Sequence, residues 1–263
     1  MNRLAVLGHP VSHSRSPAMQ NAALADLGLA GEWSYEAIDV APEDFPDHVF
    51  GMKEKGFVGA NVTVPHKQAA LIVADEATLA AREIGAANTL SFTASGITAE
   101  NTDAPGLIDA IDEPVAGKSA LLLGAGGAGR AVLWALNRAG ARVAVWNRTE
   151  TRAAELVMAL GGTLAAAPGI AGVDLIVNAS AAGLGGEGGI EDLPIDPSGF
   201  APGQIVVDMV YGDQPSSILA AAAEGGARTI DGLEVLVRQG AHSLRLWTGM
   251  DPSLKVMREA ARG

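Results

Sequence analysis

The stretch KSALLLGAGGAGR, residues 118–130, decides the fold class of this chain. Ala120–Leu123 is a short apolar run suited to a buried strand, and it feeds directly into Gly124-Ala125-Gly126-Gly127-Ala128-Gly129. An Ala/Leu-rich helical segment follows without a break. Between a strand and a helix each glycine has its own use. Gly124 permits the tight turn, Gly126 lets a pyrophosphate approach the backbone, and Gly129 lets helix and strand pack closely. The loop Gly124–Ala128 and the amino end of the helix offer N–H groups and a partial positive charge to an anion. A glycine pattern alone is weak. The strand before it and the helix and strand after it carry the weight.

Working outward, residues 119–230 alternate strands with helices. Strands are expected at Ala120–Leu123, Arg142–Trp146, Asp174–Asn178, Gln204–Asp208 and Arg228–Ile230, and helices at Gly127–Ala139, Thr151–Leu160 and Ser216–Glu224. This spacing implies parallel, right-handed βαβ units, hence a Rossmann-type doubly wound sheet. The glycine-rich stretch GLGGEGG, residues 183–189, reads as a flexible loop after a strand's carboxyl end.

The second strand selects the dinucleotide. A site for NAD places Asp or Glu about twenty residues beyond the glycines, where it accepts from the ribose 2′-hydroxyl. Here Asn147-Arg148-Thr149 follows Trp146, and Arg152 lies in the next turn. Two guanidiniums and a hydroxyl suit a 2′-phosphate, so the expected cofactor is NADP.

The first hundred residues alternate too. Strands are expected at Leu4–Leu7, Glu32–Ile38 and Gly59–Val64, with a hairpin at Thr89–Thr93 and Ile97–Glu100. Ser16-Pro17 opens a helix to about Leu27, with Ser16 as its N-cap. Asp44 opens another over Phe45–Lys55, and shorter helical segments occupy Lys67–Val73 and Thr78–Ile84. Small polar residues gather at the ends of these elements: Ser14, Ser16, Asn61, Thr63, Lys67, Asn88 and Asp103. Each has a bland use as a cap, turn or surface residue. Together they make an inventory of hydroxyl and amide groups with one cation and one carboxylate, suited to a polyhydroxylated carboxylate. His9 and His13 stand four apart, but Pro10 forbids a regular helix between them and no ligand cluster supports a metal. Helices over Leu233–Trp247 and Pro252–Ala261 close the chain.

Composition narrows the partners. The 263 residues carry a net charge of −12, which argues against nucleic acid, so an anionic ligand must be held by a local cluster. With no cysteine there are no disulfides, thiolate metal sites or thiol nucleophiles. No apolar run approaches a membrane span and the first residues do not form a signal-peptide core, so a cytoplasmic location is the expectation.

The motifs GHPVSHSRSPAMQNAAL, GANVTVPHK, IGAANTL, ENTDAPG, GAGGAGR, NRTETR, VNASAAGL, VDMVYG and DGLEVLVRQGAHSLRLWTG, in this order, resemble the shikimate dehydrogenase family nearly end to end. The resemblance implies reduction of 3-dehydroshikimate to shikimate with NADPH, in the route to aromatic amino acids. It implies an α/β substrate-binding domain, residues 1–102, with terminal helices 236–263 packing back on it. Residues 103–235 would form the NADP domain, with a cleft between the two. It implies that Lys67 and Asp103 are the catalytic pair and that Ser14 and Ser16 hold the substrate carboxylate. Asn61, Thr63, Asn88 and Gln239 would hold its hydroxyls, with Tyr211 nearby, while Met209 and Gly232 would line the nicotinamide end. Departures stand at Gln20, where the family often has His, at Ser180 and Ala181, and in the residues after Tyr211. Ser14-Arg15-Ser16 is closer to the shikimate-specific branch than to the quinate-using one. Oligomeric state is not given by the sequence, and a homodimer stays open. Two rival readings stand beside this one: an NAD-dependent quinate/shikimate dehydrogenase, and a non-catalytic NADP-binding sensor.

Overall fold

The computed structural model describes residues 1–183 and 188–263. Residues 184–187 of the glycine-rich stretch therefore lie outside the described residues. The chain divides into two compact units, Met1–Gly106 with Leu236–Gly263, and Leu107–Val235.

In the first unit, β1 (Asn2–Gly8), α1 (Ser16–Asp26), β2 (Trp33–Asp39), α2 (Phe45–Phe50) and β3 (Phe57–Val62) come first. They are followed by α3 (Lys67–Ile72), β4 (Glu76–Ala77), α4 (Leu79–Ile84), the hairpin β5 (Thr89–Thr93) and β6 (Gly96–Glu100), and α5 (Asp103–Ile111), which starts in this unit and ends in the second. The sheet order is β2-β1-β3-β5-β6-β4, parallel from β2 to β3 and antiparallel through the hairpin. Leu7, Phe45, Met52 and Leu90 fill its core at zero exposure.

Several ends differ from expectation. Ser16 is already helical and Arg15 stands at the N-cap without a side-chain cap, while Ser14 Oγ accepts from the Ser16 N–H at 3.3 Å. The helix after Asp44 stops at Phe50, five residues early, because the chain turns at Gly51. Thr78 caps α4, accepting from the Ala81 N–H at 3.3 Å.

The second unit runs β7 (Ser119–Leu123), α6 (Gly127–Arg138), β8 (Arg142–Trp146), α7 (Glu150–Leu160), β9 (Thr163–Leu164), β10 (Leu175–Asn178), β11 (Ile205–Asp208), α8 (Ser217–Glu224) and β12 (Arg228–Ile230). All its strands pair in parallel, in the order β12-β11-β10-β7-β8-β9. Alternate residues of one strand enter different cores. Leu122, Val177 and Val207 pack with α6 and α7 residues such as Leu133 and Leu156, while Leu121, Leu123, Ile176 and Val206 pack with α8 residues such as Leu219. A sheet covered on both faces needs such continuous apolar runs. The order reverses direction between β7 and β10, the switch point at which doubly wound sheets bind ligands.

The chain ends in α9 (Gly232–Thr248) and α10 (Leu254–Arg262). Within the first unit α10 packs on α1, and Trp247 of α9 lies across β3. A Cβ on Gly59 would fall 2.1 Å from the Trp247 indole, so that contact requires glycine. The indole Nε1 donates to the Leu90 carbonyl at 3.1 Å. No helix among the described residues is long and apolar enough to cross a membrane.

Candidate active site

Lys67 opens α3, directly after the turn that ends β3. The backbone on either side of it is fixed. His66 is 2% exposed, stacks on Phe45 with ring centroids 4.4 Å apart, and places Nε2 2.8 Å from the Val40 carbonyl. Burial pushes its pKa down, so the ring is neutral and Nε2 is the donor. The Lys67 carbonyl accepts from the Ala87 N–H at 2.8 Å, which ties the start of α3 to the segment leading into Asn88.

Lys67 Nζ donates to Asp103 Oδ2 at 2.6 Å, with side chains only 12% and 7% exposed. Asp103 is free for this pairing because Asn101 caps α5, its Oδ1 accepting from the Ala104 N–H at 3.2 Å. The second carboxylate oxygen, Oδ1, accepts from Asn88 Nδ2 at 2.9 Å. Asn88 is held in turn by the Thr102 N–H, which donates to its Oδ1 at 2.7 Å. Gln239 Oε1 lies 3.1 Å from Asn88 Nδ2, and Gln239 Nε2 donates to the Leu236 carbonyl at 2.9 Å. A Cβ on Gly106 would lie 2.7 Å from the Gln239 backbone nitrogen, so glycine there lets α9 come this close to α5. The structure thus joins Lys67, Asp103, Asn88 and Gln239 in one hydrogen-bonded group.

Asn61 has a structural part as well. It is 5% exposed, its Oδ1 accepts from the Tyr35 hydroxyl at 2.8 Å, and its Nδ2 faces the Asn88 carbonyl, Thr89 Oγ1 and Ser243 Oγ at 2.8–3.2 Å. With its Nδ2 engaged inside the fold, Asn61 ties β3, β5 and α9 together, and its Oδ1 keeps a second lone pair. Thr89, Thr102 and Ser243, mutually within 2.9–3.1 Å, complete this buried layer. Ser243 stands one helical turn after Gln239, the only sequence signal that would have found it. Ser14, Ser16 and Thr63 make no side-chain hydrogen bond to the Lys67 group among the described residues. Thr63 is nonetheless fixed locally, its N–H donating to the Leu7 carbonyl at 2.8 Å. His9 pairs with Asp39, its Nδ1 2.7 Å from Oδ1, and no metal-ligating cluster occurs among the described residues.

In the second unit the three glycines differ as their uses require. Gly124 has φ +114°, and its Cβ would lie 2.7 Å from the Ala179 carbonyl and the Ser180 nitrogen. A Cβ on Gly129 would approach the Gly124 carbonyl to 2.3 Å. At Gly126 nothing lies within 4 Å, so the backbone there is open on the side a Cβ would fill. The chain leaves room for an anion at one glycine and uses the other two for packing. Gly127 and Ala128 begin α6. The Ala125 N–H donates to Asn147 Oδ1 at 3.1 Å, and Asn147 Nδ2 donates to the Thr149 carbonyl at 2.9 Å. The loop after β8 is thereby tied to the glycine loop. Arg148, Thr149 and Arg152 are exposed, and neither arginine has an ion pair among the described residues. A dinucleotide carrying a 2′-phosphate fits this donor set. At the end of β11, Met209 and Tyr211 are partly buried. A Cβ on Gly232 would lie 2.7 Å from the Met209 and Val210 carbonyls, so Met209 and Gly232 are brought together there.

Fold and geometry define a dinucleotide-binding α/β protein that also carries a buried lysine–carboxylate pair among amide side chains. Residues 6–90 match the family model for the shikimate dehydrogenase substrate binding domain. Residues 107–182 match that for shikimate/quinate 5-dehydrogenase, and residues 232–262 that for the shikimate 5'-dehydrogenase C-terminal domain. The chain is 42% identical to the shikimate dehydrogenase (NADP(+)) of Moorella thermoacetica, over 98% of this chain and 92% of that one. It is 43% identical to that of Gluconobacter oxydans, over 94% and 90%. Among solved structures it is similar to shikimate 5-dehydrogenase from Thermus thermophilus in complex with NADP(H) and shikimate. That match has a TM-score of 0.91 and 42% identity, over 100% of this chain and 99% of the other. The chain belongs to the shikimate dehydrogenase family.

Proposed function

We propose that this chain catalyses the reversible NADPH-dependent reduction of 3-dehydroshikimate to shikimate, a step of aromatic amino acid biosynthesis. The observation that carries the reading is the 2.6 Å contact of Lys67 Nζ with Asp103, backed by Asn88 and Gln239. The first unit binds the acid and the second the dinucleotide. NADPH, when bound, supplies the hydride that reduces the ketone carbon. Lys67 supplies the proton that the ketone oxygen gains, and takes it back in the oxidation. Asp103 favours the ammonium and aims it, while Asn88 keeps Asp103 from turning away. Ser14 and Ser16 hold the carboxylate, and Asn61, Thr63, Asn88 and Gln239 hold the hydroxyls, with Tyr211 beside them. The cofactor rests on Gly124, Ala125, Gly126, Gly127 and Ala128. Asn147, Arg148, Thr149 and Arg152 take the adenosine end and its 2′-phosphate, and Met209 and Gly232 take the nicotinamide end.

The test is direct. Purified protein mixed with shikimate and NADP should raise the absorbance of the reduced nicotinamide, and NAD should do so far more slowly. Faster reduction of NAD would favour the quinate/shikimate reading. Cofactor binding without turnover would favour the sensor.

A further inference from the structure

Two buried polar side chains stand at the carboxyl ends of neighbouring strands in the second unit and take no part in the chemistry above. Asp208, the last residue of β11, and Asn178, the last of β10, are both at zero exposure. Asn178 Nδ2 donates to Asp208 Oδ1 at 2.9 Å, and the Val210 N–H donates to the same oxygen at 3.0 Å. Asn178 Oδ1 in turn accepts from the Ser180 hydroxyl at 2.7 Å and from the Ser180 N–H at 3.1 Å. Ser180 Oγ accepts from the Ala182 N–H at 3.2 Å.

One carboxyl therefore fixes two turns. The first, Ala179-Ser180, is the backbone against which Gly124 packs, with only 2.7 Å between it and a Cβ at that position. The second, Met209-Val210, is the backbone against which Gly232 packs at the same 2.7 Å. Neither turn can move without moving the glycine pressed on it.

A carboxyl in this place is costly unless it has a task. Burial pushes the Asp208 pKa up, against the hydrogen bonds from Val210 and Asn178. Its Oδ2 has no hydrogen-bond partner among the described residues, and neither does the nearby Ser216 Oγ. The Ser216 hydroxyl favours the ionised carboxyl without meeting hydrogen-bond geometry. An apolar side chain there would remove the unsatisfied Oδ2 but leave the Asn178 amide and the Val210 N–H without their acceptor.

We propose that Asp208 is a positioning residue for the dinucleotide, holding through Asn178 and Val210 the two turns that seat the glycine loop and the nicotinamide end. The proposal rests on the NADP reading above but concerns binding, not turnover. It is tested by titrating NADPH fluorescence with Asp208→Ala and Asp208→Asn at a temperature where both melt cooperatively above it. Asp208→Ala loses the acceptor for two N–H groups, so its NADPH Kd should rise about tenfold or more. The KM for the acid should rise by much less than the NADPH Kd, because of the residues that hold the acid only Tyr211 adjoins these turns. Asp208→Asn keeps an oxygen for Asn178 and Val210 and offers its amide to Ser216 Oγ, so it should rescue affinity to within about threefold of the parent. If Asp208→Ala does not fold, Asn178→Ala decides, since it cuts the same link and leaves the Val210 bond in place. A folded alanine variant with unchanged NADPH Kd overturns the proposal, even if its melting temperature falls. A parent protein that binds no NADPH would instead overturn the NADP reading itself.

Discussion

Lys67 and Asp103 stand 36 positions apart, and their approach rests on residues that never touch a substrate. His66 and the Ala87 N–H hold the lysine's backbone, and Asn101 releases Asp103 from capping its own helix. Lys67→Ala should lower kcat by about 10²–10⁴-fold, the usual worth of a positioned proton donor, with a small change in KM. It also leaves a buried carboxylate with only Asn88 as its side-chain partner among the described residues, so the melting temperature should fall as well. The rate must therefore be read well below that temperature, and near-parental turnover there would remove Lys67 from the chemistry. At this scale the sequence showed which residue types stand at element ends. It did not show how they pair, because pairing depends on strands and helices far apart in the chain. Asn61 illustrates the limit. Alternation along β3 places it on one face, but only the structure brings Tyr35, Thr89 and Ser243 to meet it.

The turn from β7 into α6 separates two uses of glycine that look alike as letters. At Gly129 an added methyl meets the Gly124 carbonyl at 2.3 Å, whereas at Gly126 it meets nothing within 4 Å. Gly129→Ala should destabilise the protein by about 1–3 kcal/mol, as overpacking does, and weaken NADPH binding along with it. Gly126→Ala should change stability by no more than about 0.5 kcal/mol, yet still weaken NADPH binding by filling the space left for the pyrophosphate. Melting curves beside NADPH titrations of the two variants check this, and equal destabilisation would show that Gly126 is also a packing glycine. Elements of this length were legible because four or more residues set a period. The two-residue strands β4 and β9 were not, since two residues carry no alternation. Nor was the early end of α2, where the apolar pattern runs on but the backbone turns at Gly51.

For the molecule as a whole, the charge balance makes cofactor choice a local matter. A chain with net charge −12 repels NADPH at long range, so affinity must come from short contacts within the second unit. Arg148 and Arg152 are exposed, and no carboxylate pairs with either among the described residues, which leaves both guanidiniums available to a phosphate. The doubly wound sheet and the preference for a 2′-phosphate were legible because one loop and one strand tip encode them. The grouping of residues 236–263 with the first unit was not legible from composition or periodicity, and entered only through resemblance to a family. The binding claim can be checked without any turnover. NADPH at about one hundred times its Kd should stabilise the folded protein by about 2.7 kcal/mol, seen as a rise of several degrees in melting temperature. NADH at the same concentration lacks the phosphate and should raise it far less. In Arg148→Ala the loss of one charged hydrogen bond, about 1.5–3 kcal/mol of binding, should bring the two shifts close together. Equal shifts in the parent protein would mean that the loop after β8 does not read the phosphate, and that the NADP preference has another source.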